Sequence, residues 1–564
     1  MTYRHDIDGL RALAVLAVVL FHLDLDAFGG GYVGVDVFFV ISGYLITSIV
    51  ARKVGHGTFR LRSFYLRRVR RLLPALLATV VATSVGAALL FVPVDMIAHA
   101  RSSVAAVLSL ANVAFFAEAG YWDSSTDLKP LLHMWSLGVE EQFYAFWPLL
   151  VIGFVRMRRR ISMGVAMGIL AVAGFALSLW IYELSPEAAF YLLPARIYQF
   201  AAGAMVGQVS RDWLVRRTDA WRGSALTVVG LSAIVVSVLT FDDATAFPGV
   251  AALLPTVGTA LAIAGGTGGT DRLLAGLLEN PLSSWLGQVS YSLYLAHWPV
   301  ISLYRYATGI ELDVMERMGL SVLMLLGAVV LHYGVERRFY TRRESNLRTA
   351  RSEGLVAARV LSVAAVVAVV LAHAWVGDGW AWRTPDATLS AAEIEDGMRA
   401  RFRLTGQGCD LAHLDAPDRC GEPRPLEVLV LGNSHEPDGY NFMVGALQDR
   451  EDVRLISFGT VSRCGLERDD GGTWHAEAPD CDQRVTRLFD GLVAQLDAVV
   501  YAANQPFSGN KDVLLSMLED LHDRNGDLWV VTMGGWFNTD VPCARLVNER
   551  GSSRACVDEE HLTY

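Results

Sequence analysis

No cysteine occurs in the first 408 residues of this 564-residue chain, and charged side chains make up only 19% of it, against 53% apolar. A soluble domain is roughly 45–50% apolar and about 25% charged, so the shortage of charge excludes a wholly soluble protein and a disordered one. The cysteines that do occur, Cys409, Cys420, Cys464, Cys481, Cys543 and Cys556, are confined to the last third. No CxxC or HxxxH accompanies them, which argues against structural zinc, and no other metal motif or nucleic-acid motif stands out. An even set in one segment points instead to disulfides, in a compartment outside the reducing cytosol. At about 100–200 residues per domain the length implies more than one unit. Charge divides at the same place as cysteine. Within the net charge of −10, residues 377–564 carry 33 acidic against 17 basic side chains, a net of −16, which leaves +6 for residues 1–376.

What the first part has in abundance is long apolar runs, and about 20 apolar residues suffice to cross a bilayer. Runs near 7–23, 33–50, 74–94, 143–155, 162–182, 190–208, 224–240, 248–265, 287–304, 317–335 and 356–376 predict eleven spans. The first is too rich in polar residues, and too poor in a small-residue cleavage site, for a removable signal peptide. Lys and Arg collect in alternate links: Arg52 to Arg71, Arg156 to Arg160, Arg211 to Arg222, and Arg337 to Arg351. By the positive-inside rule this sets the N-terminus in the cytoplasm and, with an odd number of spans, the cysteine-bearing segment outside. The stretch 95–130 reads as a re-entrant or interfacial helix.

Ionisable groups at membrane depth are costly and are functional candidates by default. Arg11 and His22 are eleven residues apart, which puts them on one helix face roughly 16 Å apart along its axis. A neutral histidine can take a proton from a hydroxyl, so His22 is the candidate general base. The loop Phe64-Tyr-Leu-Arg-Arg-Val-Arg-Arg-Leu-Leu-Pro74 carries Arg67, Arg68, Arg70 and Arg71. Composition alone makes it a topogenic or lipid-headgroup cluster, but guanidinium forks also suit phosphate.

The motifs Arg4-His-Asp-Ile-Asp-Gly-Leu-Arg-Ala12, Gly34-Val-Asp-Val-Phe-Phe-Val-Ile-Ser-Gly-Tyr-Leu-Ile46, Arg68-Val-Arg-Arg71, His133-Met-Trp-Ser-Leu-Gly-Val-Glu-Glu-Gln-Phe-Tyr144, Ser290-Tyr-Ser-Leu-Tyr-Leu-Ala-His-Trp-Pro299 and Val335-Glu336 follow one another over residues 4 to about 340. In that order they resemble the acyltransferase family 3 membrane proteins. The resemblance implies transfer of an acyl group, often acetyl, from cytoplasmic acyl-CoA to a hydroxyl on an extracytoplasmic glycan or glycolipid. The donor would be a substrate, with no permanently bound cofactor. His22 would be the base, Arg11 and Glu140 its polar partners, and Arg67, Arg68, Arg70 and Arg71 the holders of the coenzyme phosphates. Trp135, Gln142, Tyr144 and His297 read equally well as packing residues. Two departures from the family pattern, Gln199 where Glu is frequent and Ala296 where Trp is common, leave the proposed base untouched.

After a link over 377–425, Val428–Leu431, Val453–Ser457, Ala498–Tyr501 and Leu528–Thr532 read as buried strands separated by helices near 438–448, 483–496 and 511–524. That alternation predicts a parallel sheet covered by helices, with functional groups just past the strands' carboxyl ends. Leu431-Gly-Asn-Ser-His435 and Tyr501-Ala-Ala-Asn504 lie there, and they resemble blocks of the SGNH hydrolase family. The resemblance makes Ser434 a nucleophile and Asn504 an oxyanion donor, with the backbone of Gly459 as a second donor. Asn433 replaces the Asp usual beside that serine. Asp558-Glu-Glu-His561 matches the family's Asp-x-x-His pattern, in which Asp558 would orient His561 as the base for the serine. It comes only about 25 residues after the fourth strand, so a chance match in a truncated chain is the alternative. Nearest-neighbour disulfides, 409 with 420, 464 with 481 and 543 with 556, are the simplest of fifteen connectivities.

The expected architecture is thus a polytopic α-helical membrane domain (ten spans plus a linking eleventh) followed by an α/β SGNH-hydrolase-like domain with a parallel sheet. The divisions fall at 1–350 for the acyltransferase domain, 351–425 for the linking helix and linker, and 426–564 for the second domain. Two other readings compete with an O-acyltransferase: a membrane-anchored esterase acting through Ser434, and a transporter with an appended binding domain. The sequence leaves the acceptor sugar, the acyl chain and the oligomeric state open.

Overall fold

The computed structural model describes residues 3–118, 128–156, 162–208, 220–242, 244–268, 272–308, 312–339, 347–383, 408–414, 416–432, 436–447, 450–460, 464, 466–469, 472–476, 479–502 and 511–533. The chain forms two compact units, Met1–Pro385 and Asp386–Tyr564. The first is helical: α1 (His5–His22), α2 (Gly34–Gly55), α3 (Leu61–Leu90), α4 (Pro93–Val107), α5 (Ala111–Glu118), α6 (Met134–Arg156), α7 (Met163–Leu184), α8 (Pro186–Tyr191), α9 (Leu193–Gln208), α10 (Ala220–Thr240), α11 (Leu253–Gly268), α12 (Arg272–Leu278), α13 (Pro281–Thr308), α14 (Val314–Leu331) and α15 (Leu347–Val376). A helix stands at each of the eleven places where the apolar runs predict one. Among the described residues, seven segments are long and apolar enough to cross a membrane: Gly31–Gly55, Leu61–Leu90, Met163–Leu184, Trp221–Thr240, Val250–Thr267, Val314–Phe339 and Gly354–Val376.

The helices that miss that standard show why. α1, α6 and α13 carry much of the polar motif content, and α9 is only 16 residues long. α1 packs on α2 and α13, and α2 packs on α6 and α9, so these polar helices sit inside the bundle. The apolar helices surround them. α7, α14 and α15 leave Val172, Trp180, Val322, Leu326, Val366 and Val369 exposed, as expected of side chains facing lipid rather than water. The stretch read as re-entrant or interfacial holds α4 and α5, and residues 119–127 lie outside the described set.

Two glycines set how closely α2 and α9 approach. A Cβ on Gly43 would collide with the carbonyl of Phe200, and one on Gly203 with the carbonyl of Val40. The neighbours are backbone and cannot swing aside. Gly43→Ala and Gly203→Ala are therefore each expected to cost about 1–3 kcal/mol of stability, read as a lower thermal midpoint in detergent.

The second unit holds β1 (Leu426–Gly432), α16 (Glu436–Ala446), β2 (Val453–Thr460), β3 (Leu466–Arg468), β4 (Trp474–Ala476), α17 (Pro479–Arg487), β5 (Ala498–Ala502), α18 (Lys511–Arg524) and β6 (Trp529–Met533). β2, β1, β5 and β6 pair in that order, all parallel, as the strand–helix alternation predicts. The alternation along β1 explains the burial of both sheet faces. Leu429 and Leu431 join Val485, Leu488 and Leu521 in one apolar cluster, and Val428 and Val430 join Tyr440 in another. The antiparallel hairpin β3–β4 is not foreseen from sequence, because three-residue strands leave no readable alternation. Cys409–Cys420 and Cys464–Cys481 are disulfides, as nearest-neighbour pairing predicts. Cys543 and Cys556 lie outside the described residues.

Candidate active site

Two cavities among the described residues of the helical unit each take one candidate residue from α1. The first is small, about 140 Å³, with Arg11, Arg68, Arg71, Ser42, Glu140 and Tyr144 in its wall. Arg68 and Arg71 are three residues apart on α3, so they project to one side. The other two arginines of the cluster do not join them: Arg67 is exposed, and Arg70 donates to the carbonyl of Phe339 at 3.3 Å. Arg68 stacks on the Tyr144 ring, 3.5 Å from its centroid. Ser42 Oγ donates to Glu140 Oε1 and lies 2.9 Å from the Tyr144 hydroxyl. Three helices thereby fix a carboxylate beside two guanidinium groups. The guanidinium groups in this wall are donors that an anionic group could meet.

The second cavity is wider, about 570 Å³, with His22, Asp24, Asp36, His133, Arg196, Asp242 and Thr245 among its polar lining. Phe21, Tyr32, Trp135, Phe190, Tyr191, Phe247 and Trp298 supply rings. Flat apolar faces with a few placed polar groups are what a ring-shaped, hydroxylated ligand needs. Val35 and Tyr294 line both cavities, so the two stand back to back with a wall one side chain thick.

His22 is held by its own helix: Nδ1 lies 2.9 Å from the carbonyl of Val18. A carbonyl can only accept, so Nδ1 carries the proton and Nε2 keeps a lone pair, as a general base requires. The carbonyl of His22 in turn accepts from Arg305 Nη2 at 3.4 Å, and Arg305 also pairs with Asp24. Arg11 lies in the other cavity, so the two residues share a helix but not a pocket. Arg11 feels Arg71, Asp8, Glu336 and Glu140 as its charged neighbours.

Several residues around His22 carry no assigned role in the sequence reading. The ring of His297 is 5.1 Å from that of His22, and the ring of His133 is 5.4 Å from that of His297. Asp36 forms a buried ion pair with Arg196 at 3.1 Å and also accepts from Gln199. All of these stand inside the quoted motifs except Gln199, named there as a departure from the family pattern, and Arg196, three residues before it. The signal was present in the sequence, and only the partnership was hidden. Gln142 is structural: its amide donates to Asn112 Oδ1 at 2.8 Å and to the carbonyl of Ser109 at 3.2 Å, tying α6 to α5.

In the second unit Ser434, Asn504, Asp558 and His561 all lie outside the described residues. The described backbone brackets two of them. β1 ends at Gly432 and α16 begins at Glu436, while β5 ends at Ala502, one strand away. Gly459 is the next-to-last residue of β2, at the same carboxyl edge of the sheet, rather than beyond the strand.

A family model described as an acyltransferase domain matches residues 4–333. Among curated proteins, the "Putative peptidoglycan O-acetyltransferase YrhL" of Bacillus subtilis (strain 168) is 32% identical over 315 residues, 53% of this chain and 49% of that protein. A "Putative O-acetyltransferase" of Staphylococcus aureus (strain MSSA476) is 30% identical over 313 residues, 54% of this chain and 51% of its own. The "Putative membrane-bound transacylase BcsY" of Komagataeibacter xylinus is 32% identical over 371 residues, 65% of this chain and 91% of that protein. The chain spans about half the length of the first two relatives. No solved structure matches.

Proposed function

The chain belongs to the acyltransferase-domain family, and on that premise we propose that it is a multi-pass membrane O-acyltransferase. It moves an acyl group, acetyl in the first instance, from cytoplasmic acyl-CoA to a hydroxyl of an extracytoplasmic polysaccharide or glycolipid. The observation that carries this reading is the pair of back-to-back cavities, one lined by arginines and the other by His22 and aromatic rings. Arg68 and Arg71 offer bidentate donors to the phosphates of coenzyme A. The thioester arm crosses the thin wall at Val35 and Tyr294, and His22 Nε2 takes the proton of the attacking hydroxyl. Peptidoglycan is the first acceptor to test, because the Bacillus relative bears that name. The second unit, an SGNH-like domain in this reading, receives, relays or finishes the transfer outside the membrane through Ser434.

Mass spectrometry of envelope glycans from cells with and without the protein tests the proposal. Ester content should fall without the protein and with His22→Ala. An esterase acting through Ser434 would instead respond to Ser434→Ala and not to His22→Ala. Ester content that is the same in every strain would end both enzymatic readings.

The arginine cavity has its own consequence. Charge-assisted hydrogen bonds are worth about 1.5–3 kcal/mol, so Arg68→Ala and Arg71→Ala should each raise the KM for acetyl-CoA by roughly tenfold or more. Arg67→Ala should do less, since that side chain is exposed. Initial rates in proteoliposomes at varied acetyl-CoA would decide it.

A further inference from the structure

The three imidazoles beside the wider cavity have an uneven supply of protons. His22 Nδ1 is committed to the carbonyl of Val18, and His297 Nδ1 to the carbonyl of Tyr294 at 2.6 Å. Both therefore turn an unprotonated Nε2 away from their own helices. For His297 that atom is fully buried and meets no hydrogen-bond partner. His133 is also buried, and neither of its nitrogens has a partner at full hydrogen-bond geometry. The backbone of Leu295 lies against its ring. The carbonyl of Leu295 lacks its usual helical donor, because residue 299, four places on in α13, is proline. Whichever nitrogen of the neutral His133 ring carries its proton, the other keeps an open lone pair.

Three basic nitrogens thus stand on adjoining rings, and two of those rings, His22 and His297, direct their N–H to a backbone carbonyl. A buried acceptor without a donor costs about 1–3 kcal/mol, so the arrangement is stable only at a price in folding free energy. Among the described residues no group of His, Cys, Asp and Glu side chains is arranged to hold a metal ion. A mobile proton on one ring can instead be passed to the lone pair of the ring beside it.

We propose that His297 and His133 share with His22 the proton removed from the acceptor hydroxyl, holding it until the thiolate leaves. The inference rests on the acyltransferase reading above. The hydroxyl oxygen bonds to the thioester carbon as its proton passes to His22 Nε2, and the carbonyl electron pair moves onto oxygen. When that pair returns, the carbon–sulfur bond breaks and sulfur leaves with its electrons. The stored proton then goes to the thiolate, so the products are ester and thiol with no proton gained or lost. His22 is the catalytic base, and His297 and His133 are positioning residues that act through it. The charged and titratable groups around the cluster are Arg305, which donates to the His22 carbonyl and pairs with Asp24, the Asp36–Arg196 pair and Asp242 in the wall of the same cavity, and the Tyr294 hydroxyl, which donates to the His133 carbonyl at 3.0 Å.

The test uses full-length protein in proteoliposomes, with radiolabelled acetyl-CoA as donor and disaccharide fragments of peptidoglycan as acceptor, and follows kcat against pH. His297→Leu should lower kcat by roughly 10²-fold with the KM for acetyl-CoA unchanged. It should also move the acid limb of the profile to lower pH, because His22 without a neighbouring lone pair is a weaker base and stays neutral further into acid. Its thermal midpoint should hold or rise, since an apolar side chain removes an unpartnered buried nitrogen. His133→Leu should shift kcat and the limb in the same directions by less. A His297→Leu protein with wild-type kcat and limb, or with the limb moved to higher pH, overturns proton sharing and leaves the acyltransferase reading standing. Wild-type protein that labels no acceptor overturns that reading, and proton sharing with it.

Discussion

Replacing His22 with alanine is expected to slow ester formation by roughly 10²–10⁴-fold, the usual worth of a positioned general base, while the chain still folds. The expectation follows from the fixed tautomer. With Nδ1 bound to Val18, only Nε2 can take a proton, and His22 lines the aromatic cavity that an acceptor would enter. Alanine removes the lone pair but leaves the α1 backbone unchanged, because Val18 and the residues around it hold their helical bonds. His22→Gln is the companion variant. It keeps the bulk and a hydrogen-bonding group but has no basic nitrogen, so it should be nearly as slow as alanine. Both are read by label transfer from acetyl-CoA in proteoliposomes, with thermal midpoints recorded alongside. A His22→Gln protein at wild-type rate would remove the histidine from the chemistry.

The other large effect concerns stability. Asp36 and Arg196 are both almost wholly buried and pair at 3.1 Å across α2 and α9. Arg196 also donates through Nε to the carbonyl of Phe190 at 3.0 Å, and it packs 5.2 Å from the Phe190 ring centroid and 5.7 Å from that of Trp135. Removing one partner of such a pair leaves an uncompensated charge, so Asp36→Ala and Arg196→Ala should each cost about 3–5 kcal/mol. Removing both should cost less than the sum, because no charge is then stranded. Unfolding in detergent, followed by tryptophan fluorescence, would read all three. Single variants within about 0.5 kcal/mol of wild type would mean that water reaches the pair and that its burial contributes little. Arg196 and Asp36 also line the aromatic cavity, so the same pair fixes the wall against which an acceptor would sit.

Part of the site was legible in the chain. The Arg11–His22 spacing put both residues on one helix, and the arginine cluster before Pro74 stood out by composition. The division within that cluster was not legible. Arg68 and Arg71 enter the small cavity while Arg70 turns to Phe339, a choice made by the rotation of α3 against its neighbours. The company of His22 was hidden for a related reason: His133 and His297 stand more than 100 residues away in sequence, and no local period reports a contact between distant helices. Glu140 was expected beside the base, yet it lines the arginine cavity with Ser42 as its donor. In the second unit the strand–helix rhythm foretold a parallel sheet, whereas the β3–β4 hairpin was too short to announce itself.

The amino-acid order by itself determined which stretches are helical and apolar, where charge and cysteine change character, and which polar residues are too costly to be idle. These properties are local: hydropathy, helical period and strand alternation act over a few turns or a few residues. Only the tertiary structure decided that two cavities meet at Val35 and Tyr294, and that three imidazoles from α1, α13 and the start of α6 adjoin. Those outcomes depend on how closely and at what rotation helices pack, which is fixed by side chains far apart in the chain, such as Gly43 against Phe200.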